Sequence, residues 1–208
     1  LDGTLTDLAF ADGVWEEGVP ALVSERLGIG FEKARSMCRK AYELEGDAST
    51  LWYRLEHWLE RFGIDDVDPE ELVDRYTGRI RAYEDGLRAL ETLRSEGVNL
   101  VLFSNASRTF LAREIHHAAI GQFFDLVVSL PDDWGMVKAQ SEAFSRLARH
   151  VATRVVHVGD HVLYDYEVPR RAGVTAYHVW RGRGERLPDS LETLDRLVDR
   201  ISRELRHP

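Results

Sequence analysis

Short continuous apolar runs set between helical stretches constrain this chain more than any other feature. NLVLFSN (residues 99–105), DLVVS (125–129), RVVHVGD (154–160) and TAYHV (175–179) each read as a buried strand. Helical patterns separate them, over 86–96 with a stop at Gly97, 107–119, 138–150 and 166–172 with a stop at Gly173. A loop rich in Pro131, Asp132, Asp133 and Gly135 precedes the third of these helices. A last helix is expected over 190–205, with Leu191, Leu194, Leu197, Val198, Ile201 and Leu205 on one face. Strands alternating with helices form parallel sheets joined by right-handed crossovers. The expected fold is therefore α/β, with a parallel sheet core flanked by helices.

Residues 14–80 have a different texture. Val14, Leu22, Val23 and Leu27 mark one amphipathic helix ending at Gly28, and 31–44 marks a second. Trp52, Leu55, Trp58, Leu59 and Phe62 recur at helical spacing before Gly63, and Pro69 opens a fourth helix through Leu72, Val73 and Tyr76. The region carries no convincing strand signal. An aromatic stripe such as Trp52 and Trp58 reads as helix-packing core.

The chain has 208 residues, 44% of them hydrophobic, which suits one medium domain, or one domain carrying a smaller insertion. Its net charge of -9 argues against nucleic acid and acidic membranes as partners, but leaves room for a small anionic substrate at a local positive site. Cys38 is the lone cysteine, so no internal disulfide forms, which fits a reducing compartment. No apolar run approaches the roughly 20 residues of a membrane span. A soluble cytoplasmic protein, monomeric or homodimeric, is expected. Arginine supplies nearly all the positive charge; the lysines are Lys33, Lys40 and Lys138, so each marks a departure from the default.

In parallel sheets, ligands sit at the carboxyl ends of the strands. NLVLFSN ends in Ser104-Asn105, where a hydroxyl and free N–H groups at a helix start suit an anion, or where Ser104 or Ser107 simply caps the helix. RVVHVGD ends in Gly159-Asp160, with Asp165 shortly after; two carboxylates at a strand end suit a hard cation such as Mg²⁺, or form an ordinary turn with Asp165 as a cap. Lys138 is expected at a helix start, the wrong end for the macrodipole unless an anion lies nearby; otherwise it is a solvated lysine. LDGTLTD at the chain start contains Asp2-Gly3, a strong turn signal in its own right.

Taken in order, the Asp-Gly-Thr turn at Asp2, strand-end Ser104, Lys138 within GMVKAQSEAF, and Gly159-Asp160 followed by Asp165 resemble the four motifs of the haloacid dehalogenase-like hydrolase superfamily. The resemblance spans essentially the whole chain. It implies a Rossmann-like core from residues 1–7 and 83–208, with a small all-helical cap, residues 8–82, inserted after the first strand. It also places the family's nucleophilic aspartate immediately before Leu1, at the end of a strand central to the sheet, so a longer protein is expected. Ala139 stands where many relatives have proline after the lysine.

The resemblance implies a Mg²⁺-dependent phosphatase acting on a small phosphorylated metabolite through an aspartyl-phosphate. In that scheme Asp2 is the general acid and base, and Ser104, Asn105 and Lys138 hold the phosphoryl group. The Asp2 backbone carbonyl and Asp160 bind Mg²⁺, and Asp165 orients that set from behind. Dehalogenases of the superfamily, and relatives that cleave carbon–phosphorus bonds, lack an aspartate at the Asp2 position. A sugar-phosphate mutase is the runner-up, and a catalytically silent binding protein on the same scaffold is a further alternative. Substrate contacts are expected in the helical region, with Trp15, Tyr53, Arg54 and His57 as candidates. His116 and His117 read as solvated helix residues, and His161 lies near the metal turn without an assigned role.

Overall fold

Prolines and glycines set the helix boundaries in the first third of the chain, as the sequence signals. A computed structural model describes the backbone of residues 1–206 and the side chains of 1–203. Helix α1 (Ala9–Asp12) runs through a π-helical turn (Gly13–Gly18) into α2 (Val19–Leu27). Gly28 ends α2 in the left-handed region at φ 61°, which an L side chain adopts only with strain. Helices α3 (Phe31–Glu45), α4 (Leu55–Arg61) and α5 (Pro69–Asp74) follow, with a 3-10 turn at Thr50–Tyr53. Asp68 caps α5 through the Glu70 amide, and Pro69 occupies the first turn, where a missing N–H costs nothing.

These helices bury a shared core of Phe10, Val14, Val23, Tyr42, Trp58 and Leu72. Trp58 is fully enclosed, and removing such a ring from water stabilises the fold by about 2–3 kcal/mol. The cluster extends to Phe110 on α7 (Arg108–His117), where Trp15 stacks on the Phe110 ring at 5.6 Å between centroids. The helical region is thereby seated on the strand-bearing part of the chain.

Among the described residues, four short strands lie in two parallel pairs. After α6 (Glu84–Ser95), β1 (Val101–Ser104) pairs with β2 (Leu126–Ser129), with Ser104 opposite Ser129. After α8 (Ser141–Val151), β3 (Val156–Gly159) pairs with β4 (Thr175–His178) across α9 (Val168–Arg171), with Gly159 opposite His178. Residues at the chain start pack with both pairs. Leu1 and Leu5 join Leu102 and Leu111, and Leu5 also reaches the cluster of Val179, Leu191 and Leu194.

Three local expectations are corrected. Lys138 is not on a helix: α8 begins at Ser141, because the Lys138 amide donates to the Asn105 side chain (2.8 Å) and the Met136 amide to the Leu130 carbonyl (3.1 Å). The segment containing Pro131, Asp132 and Asp133 is a single π-helical turn, Leu130–Trp134, closed by Gly135. The last helix, α10 (Asp195–Arg206), starts later than its apolar stripe implies. Leu191 instead bridges to Val179 in parallel, and Asp85 accepts the Leu194 amide at 2.7 Å, holding the entry to α10. The expected Leu205 contact lies outside the described side chains. Among the described residues, no helix is long and apolar enough to cross a membrane.

Candidate active site

The turn after Leu1 is folded against Asp160. Gly3 sits at φ 68°, and a Cβ there would lie 2.2 Å from Asp160 Oδ2, so only glycine lets the Asp160 carboxylate lie against the turn. The Thr4 hydroxyl donates to Asp160 Oδ1 at 3.0 Å. Arg181 holds the other side of the turn, donating to the Thr4 carbonyl at 2.8 Å and to both oxygens of Asp85. Behind Asp160, His178 Nε2 donates to the Asp160 carbonyl at 2.8 Å, while Nδ1 meets the Ser190 hydroxyl. Because a carbonyl only accepts, Nε2 carries the proton.

Asp2 is only partly exposed; its Oδ1 is wholly enclosed, and its carboxyl meets that of Glu114. Burial raises its pKa above the usual carboxylate value, and the nearby charge of Asp160 adds to the rise. Glu114, fully buried on α7, accepts from the Thr6 hydroxyl at 2.8 Å through Oε1, while its Oε2 is likewise enclosed. Its carboxyl is pushed well up, first by burial and then by Asp2. Two carboxyl groups enclosed side by side cannot both ionise cheaply.

Lys138 and Asp165 form the opposite wall, and both are buried. Lys138 Nζ donates to Asp165 Oδ1 at 2.6 Å, His157 Nε2 reaches the same oxygen at 2.8 Å, and the His161 amide donates to Oδ2 at 3.2 Å. Burial alone would raise the Asp165 pKa, but Lys138 and His157 override it and hold the carboxyl well below its usual range. Burial keeps the His157 pKa below its usual value. Gly159 again allows contact, since a Cβ there would meet the Asp165 carboxyl at 2.3 Å.

The anion expected at the start of α7 meets a partly occupied site. Ser104 Oγ accepts the Ala106 amide at 3.0 Å, and the Arg108 amide is taken by Asp132 at 2.6 Å. Ser107 stands at the cap position without a side-chain cap bond. Asn105 links walls: its Oδ1 accepts the Lys138 amide and its Nδ2 donates to the Tyr53 hydroxyl at 2.8 Å. The chain Ser104–Asn105–Lys138–Asp165 is thus continuous, and Asp165 abuts Gly159 beside Asp160 and the Gly3 turn.

Of the candidates in the helical region, Trp15, Tyr53 and Arg54 reach the strand-bearing part, Arg54 through a 3.4 Å contact with the Pro131 carbonyl. Trp15 is committed to Phe110, and His57 packs edge-on against Trp58 at 5.1 Å. His116 and His117 are exposed on α7, and His161 stacks on Tyr164 at 4.3 Å. A cleft of about 230 Å³ opens beside the site, lined by Gly3, Asp7, Asp12, Tyr83, Asp160 and Arg183.

The oxygens present fit a hard cation. Asp160 Oδ2 is pressed into the cradle that a Gly3 Cβ would fill, and the Asp2 carbonyl belongs to the same turn. Among the described residues, no set of three or more His, Cys, Asp or Glu side chains gathers to hold a metal by itself. A cation here would take further oxygens from water, substrate or additional chain.

Glu114 and His157 escaped the sequence reading. Glu114 shares the buried face of α7 with Phe110 and Leu111, so a glutamate in an apolar stripe was the available signal. His157 interrupts an otherwise apolar strand in the same way.

The haloacid dehalogenase-like hydrolase family matches this chain over residues 1–173. The chain is 30% identical over 129 residues to the GMP/IMP nucleotidase YrfG of Escherichia coli K12 and to that of Shigella flexneri. Those matches cover 62% of this chain and span 56% of the curated relatives' length. A HAD phosphatase from Thermococcus onnurineus has the same fold, with a TM-score of 0.84 at 23% identity over 97% of this chain and 94% of that one. The HAD-hydrolase YfnB from Bacillus subtilis, solved with magnesium bound, gives 0.64 at 16% identity over 97% and 96%. The L-2-haloacid dehalogenase from Xanthobacter autotrophicus gives 0.60 at 16% identity over 97% and 95%. With residues 1–173 matched, this chain belongs to the haloacid dehalogenase-like hydrolase family.

Proposed function

We propose that this protein is a Mg²⁺-dependent phosphatase of small phosphorylated metabolites, working in the cytoplasm. The observation that carries the reading is Asp2, an enclosed carboxyl whose pKa is raised beside the turn that holds Asp160. A carboxyl whose pKa is raised holds its proton more firmly than an ordinary carboxyl and is suited to giving it to a leaving alkoxide, which a dehalogenase has no need to do. The nucleotidase relatives make purine nucleoside monophosphates the first substrates to try.

In this reading the nucleophile is the aspartate expected before Leu1. Its carboxylate attacks phosphorus as the ester oxygen departs with the proton from Asp2, forming the aspartyl-phosphate. Asp2 then takes a proton from water as that water attacks phosphorus, which releases phosphate and restores the aspartate. Ser104 and the Asn105 segment hold phosphoryl oxygens. Lys138, held beside Asp165, balances the negative charge of the transferring group. Asp160 and the Asp2 carbonyl would hold Mg²⁺, which neutralises phosphoryl charge and aligns the group for attack. Asp165 orients Lys138 and the Asp160 turn. Residues 8–82 act as the cap over a core of 1–7 and 83–208, a division supported by the Trp15–Phe110 stack and the Tyr53–Asn105 bond.

The test is phosphate release by the full-length protein from GMP, IMP, an aryl phosphate and a sugar 1-phosphate, with and without Mg²⁺. Metal-dependent release that is abolished in Asp160→Ala supports the reading. Activity that survives Asp160→Ala, or isomerised sugar phosphate in place of free phosphate, overturns it.

A further inference from the structure

Lys138 lies in no helix or strand, so its place depends on two tertiary bonds: Nζ to Asp165, and the backbone amide to Asn105 Oδ1. The second bond works only for one orientation of the Asn105 amide. Flipped, the group would aim its own N–H₂ at the Lys138 N–H. What sets that orientation comes from the helical region. Tyr53 donates its hydroxyl proton to the Asp47 carbonyl at 3.0 Å, which leaves a lone pair for Asn105 Nδ2 at 2.8 Å. With Nδ2 committed there, Oδ1 faces Lys138. Asp47 is held in turn from the far side, because Tyr164 donates its hydroxyl to Asp47 Oδ1. Tyr164 follows β3, and Asn105 follows β1, so the 47–53 segment is fastened to both loops that carry site residues.

We propose that Tyr53 is a positioning residue: docked on Asn105, it locks the Asn105 amide and through it places Lys138, so the phosphoryl site is complete only while the 47–53 segment is seated. Burial holds the Tyr53 hydroxyl protonated, so it remains a donor to Asp47 across the working pH range. The proposal deepens the phosphatase reading and rests on it for its kinetic consequence, though not for its structural one.

The experiment uses the full-length protein and Tyr53→Phe, which removes one oxygen. Hydrogen exchange at the Lys138 amide, followed by NMR, is expected to accelerate about 3- to 10-fold, in proportion to the loss of one hydrogen bond, while the β1 amides keep their protection. With Mg²⁺, kcat should fall by a similar factor of about 3 to 10 with KM within about twofold, equally for GMP and for p-nitrophenyl phosphate. Unchanged exchange at Lys138 overturns the proposal. So does a rise in KM for GMP alone with intact p-nitrophenyl phosphate turnover, which would make Tyr53 a leaving-group contact. If Tyr53→Phe does not fold, Tyr164→Phe, which loosens Asp47 from the other side, must accelerate Lys138 exchange, and an unchanged rate there overturns the proposal too. A wild-type protein that releases no phosphate from any substrate sinks the phosphatase reading, and the exchange measurement alone then decides this one.

Discussion

The two walls of the site treat buried charge in opposite ways. On the Lys138 wall, opposite charges meet at hydrogen-bond distance: the ammonium and His157 converge on one oxygen of Asp165, which a backbone amide supports from behind. On the Asp2 wall, two carboxyl groups are enclosed together and meet each other, each with one oxygen wholly buried. The first arrangement fixes geometry, since removing either partner strands a charge in a poor solvent. The second raises both carboxyl pKa values, since neither group ionises easily beside the other. A phosphoryl-transfer site needs both, a rigid cation for the transferring charge and a carboxyl that can give and take a proton.

That contrast gives variants that should separate the walls. Lys138→Met carries the largest expected effect. It leaves Asp165 buried and short of its main partner, so stability in urea should drop by about 3–5 kcal/mol, and turnover by at least about 10²-fold. Adding Asp165→Leu should recover much of the stability and none of the turnover. If Lys138→Met is as stable as wild type, the paired wall has been misjudged. Asp2→Asn should cost about 10²- to 10⁴-fold in phosphate release while leaving the urea midpoint unchanged or higher, because a like-charge neighbour of Glu114 is gone. An equal loss of stability in both variants would erase the distinction between the walls.

The smallest expected effect is in pH dependence, where the signs are opposite. Asp165 has a depressed folded pKa. Its contribution is present above the unfolded value of about 3.9 and is lost as pH falls through the lower folded value. Glu114 has a raised folded pKa. Its contribution is complete below the unfolded value of about 4.3 and is lost as pH rises through the folded value. Glu114→Gln should therefore gain stability relative to wild type as pH rises above the unfolded value of about 4.3 in urea titrations. A constant difference across that range would show that Glu114 does not titrate in this window.

Much of this was readable from the chain, and the exceptions share a cause. The strands were legible because a buried parallel strand is a continuous apolar run, as in residues 101–104 and 156–159. Gly28 and Gly63 marked helix ends because glycine takes the left-handed backbone there without strain, and Pro69 marked a start because its missing N–H costs nothing in the first turn. Lys138 was misplaced onto a helix because local pattern does not show that its amide is claimed by Asn105, 33 residues earlier. Leu191 was misplaced because an apolar residue at helical spacing can equally bridge to a strand, as it does to Val179. Glu114 and His157 went unnoticed because their partners are tertiary; the Thr6–Glu114 bond joins residues 108 positions apart. Motif residues at strand ends could be found one by one, but the wall to which each belongs is a property of the folded chain.

The central claim is that Asp2, Ser104, Lys138 and Asp160 surround a single metal-bound phosphoryl group. A crystal structure of the full-length protein with Mg²⁺ and orthophosphate addresses it directly. One phosphate within hydrogen-bond reach of both Ser104 Oγ and Lys138 Nζ, with Mg²⁺ on the Asp160 carboxylate beside the Gly3 turn, is the expected result. Phosphate bound away from Ser104 and Lys138, or Mg²⁺ bound away from Asp160, would contradict it.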